Sequence, residues 1–182
     1  MIEVRWHGRG GQGAFTAARL LGVAAVLFEN RHALAFPSFG PERRGAPVLG
    51  FTRIDDHKVA DRSLITGCDV VAVLDDTLLD ASVLKGLRSG GLFLVNTSLD
   101  TLPIRLPDNI RTILIDATSL AMRHLGRPIT NTAMLGALAA SSDVVKIQSL
   151  TEAVRREMKG ASAGKNIALA EAAYAAVGGQ AT

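Results

Sequence analysis

The sequence predicts an α/β protein: a three-layer sandwich with a Rossmann-like, mostly parallel sheet and helices on both faces. Three observations carry that prediction. Short apolar runs alternate with longer Ala- and Leu-rich segments, the order that builds parallel strands with helical crossovers. Hydrophobic residues make up 48% of the 182 and aromatic residues only 4%, so the core is aliphatic, as parallel sheets buried between helices are. Met1 to Asn30 reads as strand, glycine turn and helix in immediate succession. No repeat, linker or second compositional zone interrupts the chain, and 1–182 is read as one domain.

Ile2, Val4 and Trp6 alternate as a half-buried strand requires. Gly8-Arg9-Gly10-Gly11-Gln12-Gly13 follows, then Ala17, Leu20, Leu21, Ala24, Ala25 and Phe28 at helical spacing. Glycines permit a tight turn and let backbone N–H groups approach a ligand with no Cβ between. A helix that starts at such a loop offers unpaired N–H groups and the positive end of its dipole, a ready anion site. Gly8, Gly10 and Gly13 match the spacing of a dinucleotide loop. That fingerprint also needs an acid about 20 residues on to hold a ribose. His32-Ala33-Leu34-Ala35-Phe36-Pro37 supplies none. The loop is therefore read as a phosphate or anion cradle; the alternative is that the glycines serve only helix–strand packing.

Ala33 to Phe36 reads as a short strand, after which Pro37, Gly40, Pro41, Gly45 and Pro47 forbid regular structure. Arg43 and Arg44 lie in this loop. A guanidinium fork bonds phosphate bidentately, so the pair suits phosphate gripping, against a plain solvated loop. Val48 to Ile54 reads as a strand, and Asp69 to Asp75 as the clearest buried one. Asp75 and Asp76 fall at its C-terminal end, where open α/β sheets place ligands, though capping of the next helix is the favoured role. Leu78 to Leu87 has helical spacing stopped by Ser89-Gly90-Gly91, and Leu92 to Asn96 is another buried strand.

Pro103 and Pro107 mark a loop, and Ile110 to Ile115 a further strand. A short helix follows Asp116 and ends near Gly126. Thr130 or Asn131 caps a helix, Ala133 to Ala140, that is apolar all round and hence buried. Leu150 to Met158 is an amphipathic helix with Thr151 at its start, and Lys165-Asn166 opens a last helix through Val177.

Charge excludes some function classes. Lys plus Arg less Asp plus Glu is 20 − 17 = +3, with no block of like charges, so a nucleic-acid partner is not expected. No run approaches the roughly 20 apolar residues of a membrane span. Cys68 is the only cysteine, so this chain cannot ligate an iron–sulfur cluster with its own thiolates. A lone thiol and no signal-peptide pattern fit a reduced, cytoplasmic setting. His7, His32, His57 and His124 show no ligand spacing. No G-x-S-x-G elbow and no P-loop occurs. His7, beside the glycine loop, has no neighbouring carboxylate to orient it as a base, which favours a structural role. The residues suggest a binding module for a phosphorylated cofactor, with no catalytic residue of its own.

Three segments together resemble one family: Gly8-Arg9-Gly10-Gly11-Gln12-Gly13; Phe36-Pro37-Ser38-Phe39-Gly40-Pro41-Glu42-Arg43-Arg44-Gly45-Ala46-Pro47-Val48; and Asn131-Thr132-Ala133-Met134-Leu135-Gly136. The chain resembles, over essentially its whole length, the gamma subunit of a 2-oxoacid:acceptor oxidoreductase of the pyruvate or 2-ketoisovalerate:ferredoxin type. The resemblance implies oxidative decarboxylation of a 2-oxoacid to an acyl-coenzyme A, with electrons passed to ferredoxin or another acceptor. It places thiamine diphosphate, Mg and [4Fe-4S] clusters on partner subunits of alpha, beta and delta type. It gives this subunit a share in coenzyme A binding and complex assembly, without catalysis alone. Carried over, Gly10, Gly11, Gln12 and Gly13 cradle phosphate or the adenine end, Arg43 and Arg44 pair with coenzyme A phosphates, and Asn131 and Thr132 offer polar contacts. Arg19 is a weaker candidate, more simply a surface arginine. The competing readings are a stand-alone Rossmann-type NAD oxidoreductase and a purely structural assembly subunit.

Overall fold

In the computed structural model the described residues are 1–38 and 45–179. Six strands form one sheet: β1 (Ile2–Arg9), β2 (His32–Pro37), β3 (Pro47–Asp55), β4 (Cys68–Val73), β5 (Leu87–Asn96) and β6 (Arg111–Ile115). Their spatial order is β2-β3-β1-β4-β5-β6. The β1, β4, β5 and β6 neighbours pair in parallel, and β3 runs antiparallel to both β1 and β2. The sheet is thus mostly parallel, with one reversed strand between β1 and the edge strand β2.

Five helices, α1 (Ala14–Phe28), α2 (Ala117–Leu125), α3 (Asn131–Ser141), α4 (Ile147–Glu157) and α5 (Ala161–Gly178), pack on one face. Val4, Trp6, Ile54, Val70, Ala72 and Leu94 point into that layer. Among the described residues the third layer is helical only in short 3-10 turns. Asp76–Leu78, Ala81–Leu84 and the loop carrying Leu102, Ile104 and Leu106 cover Phe51, Val71, Val73, Phe93 and Val95. The α/β sandwich is as expected; the α-helices all fall on one side of it.

The chain between β4 and β5 corrects the helix read over Leu78 to Leu87. Two aspartates break it: Asp75 accepts from the Thr77 N–H and Asp80 from the Ser82 N–H, each starting a separate turn. Gly86 then takes φ 81°, where an added Cβ would stand 1.9 Å from the Thr66 carbonyl oxygen. The strand resumes at Leu87, and Ser89-Gly90-Gly91 lies inside β5 at an irregularity of its pairing with β4. The apolar residues of the expected helix still pack on the sheet: Leu78, Leu79, Val83 and Leu84.

Two helices start earlier than their sequence signals. Thr151 lies inside α4, not at its start, and its hydroxyl donates to the Gln148 carbonyl. The N–H of Lys146, ahead of α4, is taken by Glu29 at 2.7 Å, a partner 117 residues away. α5 begins at Ala161, four residues before Lys165. α3 is buried on nearly every side, as its composition predicts. Gly136 is where α3 meets α5: a Cβ there would stand 2.0 Å from the Ala170 carbonyl oxygen.

Candidate functional site

The parallel strands deliver one rim. The glycine loop leaves β1, Asp75 and Asp76 follow β4, and Asn96 ends β5 with Thr97 just beyond it. Two loop glycines are required by backbone conformation, Gly11 at φ 95° and Gly13 at φ 84°. Among the described residues nothing stands within 4 Å of where a Cβ on Gly11 would lie. Above Gly13 stands Asn131, its Nδ2 2.5 Å from the corresponding position. Asn131 is therefore brought against the loop by the start of α3.

Asp75 holds the loop in shape. Its Oδ2 accepts from Gln12 Nε2 at 2.7 Å and from Arg9 Nε at 3.1 Å. Its Oδ1 accepts from the backbone N–H and the hydroxyl of Thr77. Burial pushes the carboxyl up, but hydrogen bonds from Thr77 and Gln12 and the Arg9 charge outweigh it and hold the group below the usual carboxylate range. Arg9 also donates to Thr77 Oγ1 and to the Gly45 carbonyl, and Gln12 Oε1 accepts from the Arg9 N–H. Asp75 thus acts as the favoured cap and, in addition, as an anchor of the loop.

This bonding sorts the expected cradle. The Gly10 N–H is used by Ala46, and the Gln12 N–H by the Arg9 carbonyl. Among the described residues no acceptor meets the N–H of Gly11, Gly13 or the first turn of α1, which has no side-chain cap. These are the donors the rim presents. Asn131 Oδ1 accepts from the Thr132 N–H, leaving Nδ2 without a partner among the described residues. Thr132 is fully buried, and its hydroxyl donates inward to Asn166 at 2.9 Å. It positions α5 against α3 and does not face the rim. Arg43 and Arg44 lie outside the described residues. Arg19 pairs with Glu157 of α4, the plain surface role.

His7, at the end of β1, accepts on Nε2 from Arg5 Nε at 3.0 Å. Burial first, and the Arg5 charge second, lower its pKa from 6.5 to about 4, with Asp80 opposing. It is neutral near pH 7 and its basic nitrogen is occupied, which matches a structural role.

Sequence reasoning missed Arg9 and Gln12 as braces and Asp75 as their shared acceptor. Arg9 sits inside the motif, but its partners are 66 and 68 residues on. The dinucleotide reading loses further ground. β2 is an edge strand separated from β1 by β3, so its end is not the neighbour a ribose-binding acid needs.

Fold and rim together define an α/β subunit with a glycine loop at the C-terminal end of its parallel strands. Residues 3–176 match the family model described as pyruvate ferredoxin/flavodoxin oxidoreductase. The chain is 47% identical over 180 residues to the pyruvate/ketoisovalerate oxidoreductases common subunit gamma of Thermococcus kodakarensis, covering 96% of each chain. It is 47% identical over 175 residues to the pyruvate synthase subunit PorC of Methanocaldococcus jannaschii, again covering 96% of each. Among solved structures, the pyruvate oxidoreductase subunit PORC of Thermotoga maritima superposes with a TM-score of 0.83 at 32% identity, over 96% of this chain and 95% of that one. The chain belongs to the pyruvate ferredoxin/flavodoxin oxidoreductase family, as a subunit of its gamma type.

Proposed function

We propose that the chain is the gamma subunit of a multisubunit oxidoreductase that converts a 2-oxoacid, pyruvate first, to its acyl-coenzyme A, and that it holds coenzyme A at the glycine rim. The single observation that carries this reading is the set of N–H groups at Gly11, Gly13 and the start of α1 that meet no acceptor among the described residues, in a loop braced by Arg9, Gln12 and Asp75. Backbone donors at a helix start suit the oxygens of a diphosphate. Gly10 and Gln12 shape the cradle, Arg43 and Arg44 add charge-assisted bonds from the adjoining loop, and Asn131 closes the side over Gly13 through Nδ2. Thr132 acts from behind, through Asn166 and α5.

The names of the relatives support the reaction class: pyruvate/ketoisovalerate oxidoreductases share a gamma subunit in Thermococcus, and the Methanocaldococcus protein is a pyruvate synthase subunit. Branched-chain and aromatic 2-oxoacids remain in the proposed substrate range, since side-chain recognition falls to other subunits. Among the described residues no three His, Cys, Asp or Glu side chains are grouped to hold a metal, and Cys68 is buried within the sheet. Thiamine diphosphate, Mg and the [4Fe-4S] clusters are assigned to alpha-, beta- and delta-type partners, and ferredoxin or another acceptor takes the electrons. No described helix is long and apolar enough to cross a membrane; we assign the complex to the cytoplasm.

The test is kinetic. Replacing Arg43 and Arg44 with Ala in the complex raises the apparent KM for coenzyme A by tens-fold or more, since charge-assisted bonds contribute about 1.5–3 kcal/mol each. The KM for the 2-oxoacid stays constant. An unchanged coenzyme A dependence would remove the arginines from the site.

A further inference from the structure

A second opening lies beyond Asn131. The starts of α3 and α5 enclose a cavity of about 360 Å³ whose lining includes Asn131, Arg127, Ser162 and Lys165. Neither Arg127 nor Lys165 has an acidic partner among the described residues. α5 has no side-chain cap, and its Ala161 and Ser162 N–H groups meet no acceptor among the described residues. Asn166 Nδ2 donates to the Ser162 hydroxyl, so the hydroxyl proton is free to donate elsewhere.

Asn131, which closes the rim over Gly13, lines this cavity as well. The residue is 5% exposed, yet its Nδ2 bonds to nothing described. Among the described residues no fully enclosed side-chain N or O atom lacks a partner. A buried donor left unpaired is costly unless something accepts from it. Asn131 also touches Gly13, so one residue borders both the rim and the cavity.

The two openings differ in chemistry. The rim offers a row of backbone N–H groups and suits a diphosphate bridge. The cavity offers two side-chain cations, a hydroxyl, an amide and a helix start among its lining groups. That is the complement of a terminal phosphomonoester, which carries nearly two charges and three strong acceptor oxygens. We propose that the cavity between α3 and α5 holds the terminal ribose phosphate of coenzyme A, gripped by Arg127 and Lys165, with Asn131 joining it to the rim. This rests on the coenzyme A reading of the rim.

The experiment compares coenzyme A with dephospho-coenzyme A, which lacks only that phosphate. The ¹⁵N-labelled full chain is titrated with each, and backbone amide shifts are followed at Gly11, Gly13, Ser162 and Ala163. Both ligands move Gly11 and Gly13; only coenzyme A moves Ser162 and Ala163. Arg127→Gln with Lys165→Gln, both on exposed residues, weakens coenzyme A by about tenfold or more and leaves dephospho-coenzyme A unchanged. Rim shifts from both ligands with silent Ser162 and Ala163, or equal weakening of both ligands, overturn the cavity assignment and leave the rim reading standing. Silence at every site with both ligands overturns the rim reading and this one with it.

Discussion

The helix-covered face of the sheet is apolar and closely packed, whereas the turn-covered face buries charge. On the first, Ala and Leu side chains of five helices meet Val4, Trp6, Ala72 and Leu94. Its few polar groups are paired locally: Trp6 Nε1 donates to Thr52 Oγ1, and that hydroxyl donates to the Ala18 carbonyl. On the second, Glu3, Arg5 and Arg53 are all under 10% exposed. Arg53 pairs with Glu3 at 2.8 Å and donates to the Asp61 and Ser63 carbonyls. Arg5 donates to the Val83 and Lys85 carbonyls, and Arg88 reaches Glu3 from the rim of this layer. Helices satisfy their own carbonyls, and loops do not. Where the cover is loop and 3-10 turn, the sheet sends up arginines to supply the missing donors.

The largest expected effect breaks that second face. Arg53→Met strands the Glu3 carboxylate against Arg88 alone and leaves two loop carbonyls unpaired, at a cost of about 3–5 kcal/mol. Urea unfolding reads it; a loss below about 1 kcal/mol would mean the arginine is dispensable to the layer. A step smaller, Gly136→Ala forces a methyl against the Ala170 carbonyl and separates α3 from α5, costing about 1–3 kcal/mol. Thermal unfolding without a shift would contradict the close packing of the helix face.

The most gradual effect is a pH slope. His7 has a folded pKa lowered to about 4 from 6.5, so the unfolded chain binds more protons between those values. Its contribution to stability is complete above pH 6.5, falls as pH drops toward 4, and is absent below. The slope is at most about 1.4 kcal/mol per pH unit in that window. His7→Gln removes it, so the difference between the two stability curves changes between pH 6.5 and 4 and is constant above. A constant difference throughout would place His7 in contact with water.

The helix face was the more legible in the sequence, because packing there follows the helical period. β1 and α1 are legible from apolar spacing, the glycine loop from its residue type, and α3 from a cap and an all-round apolar composition. The turn-covered face was misread: Leu78 to Leu87 keeps helical spacing, but Asp80 and Gly86 divide it, and both act through geometry that the pattern lacks. Glu3, Arg53 and Arg88 are 50 and 85 positions apart, and nothing local marks them as partners. The candidate site divides likewise. Gly11 and Gly13 announced themselves, and Asn131 came with its motif. The brace from Asp75 to Gln12 spans 63 residues and needed the sheet to bring β4 beside β1. Thr132 looked like a ligand-facing residue, yet one helical step turned its hydroxyl into the core.

Amide hydrogen exchange tests ligand binding at the rim most directly. The native complex is exchanged with and without coenzyme A, and peptides covering 8–17 are read by mass spectrometry. If Gly11, Gly13 and the start of α1 donate to the ligand, exchange of this segment slows on binding, while the Ala-rich centre of α1 keeps its rate. Exchange through 8–17 that is indifferent to bound coenzyme A, with protection confined to other subunits, would contradict the assignment and leave the glycine loop as a packing element.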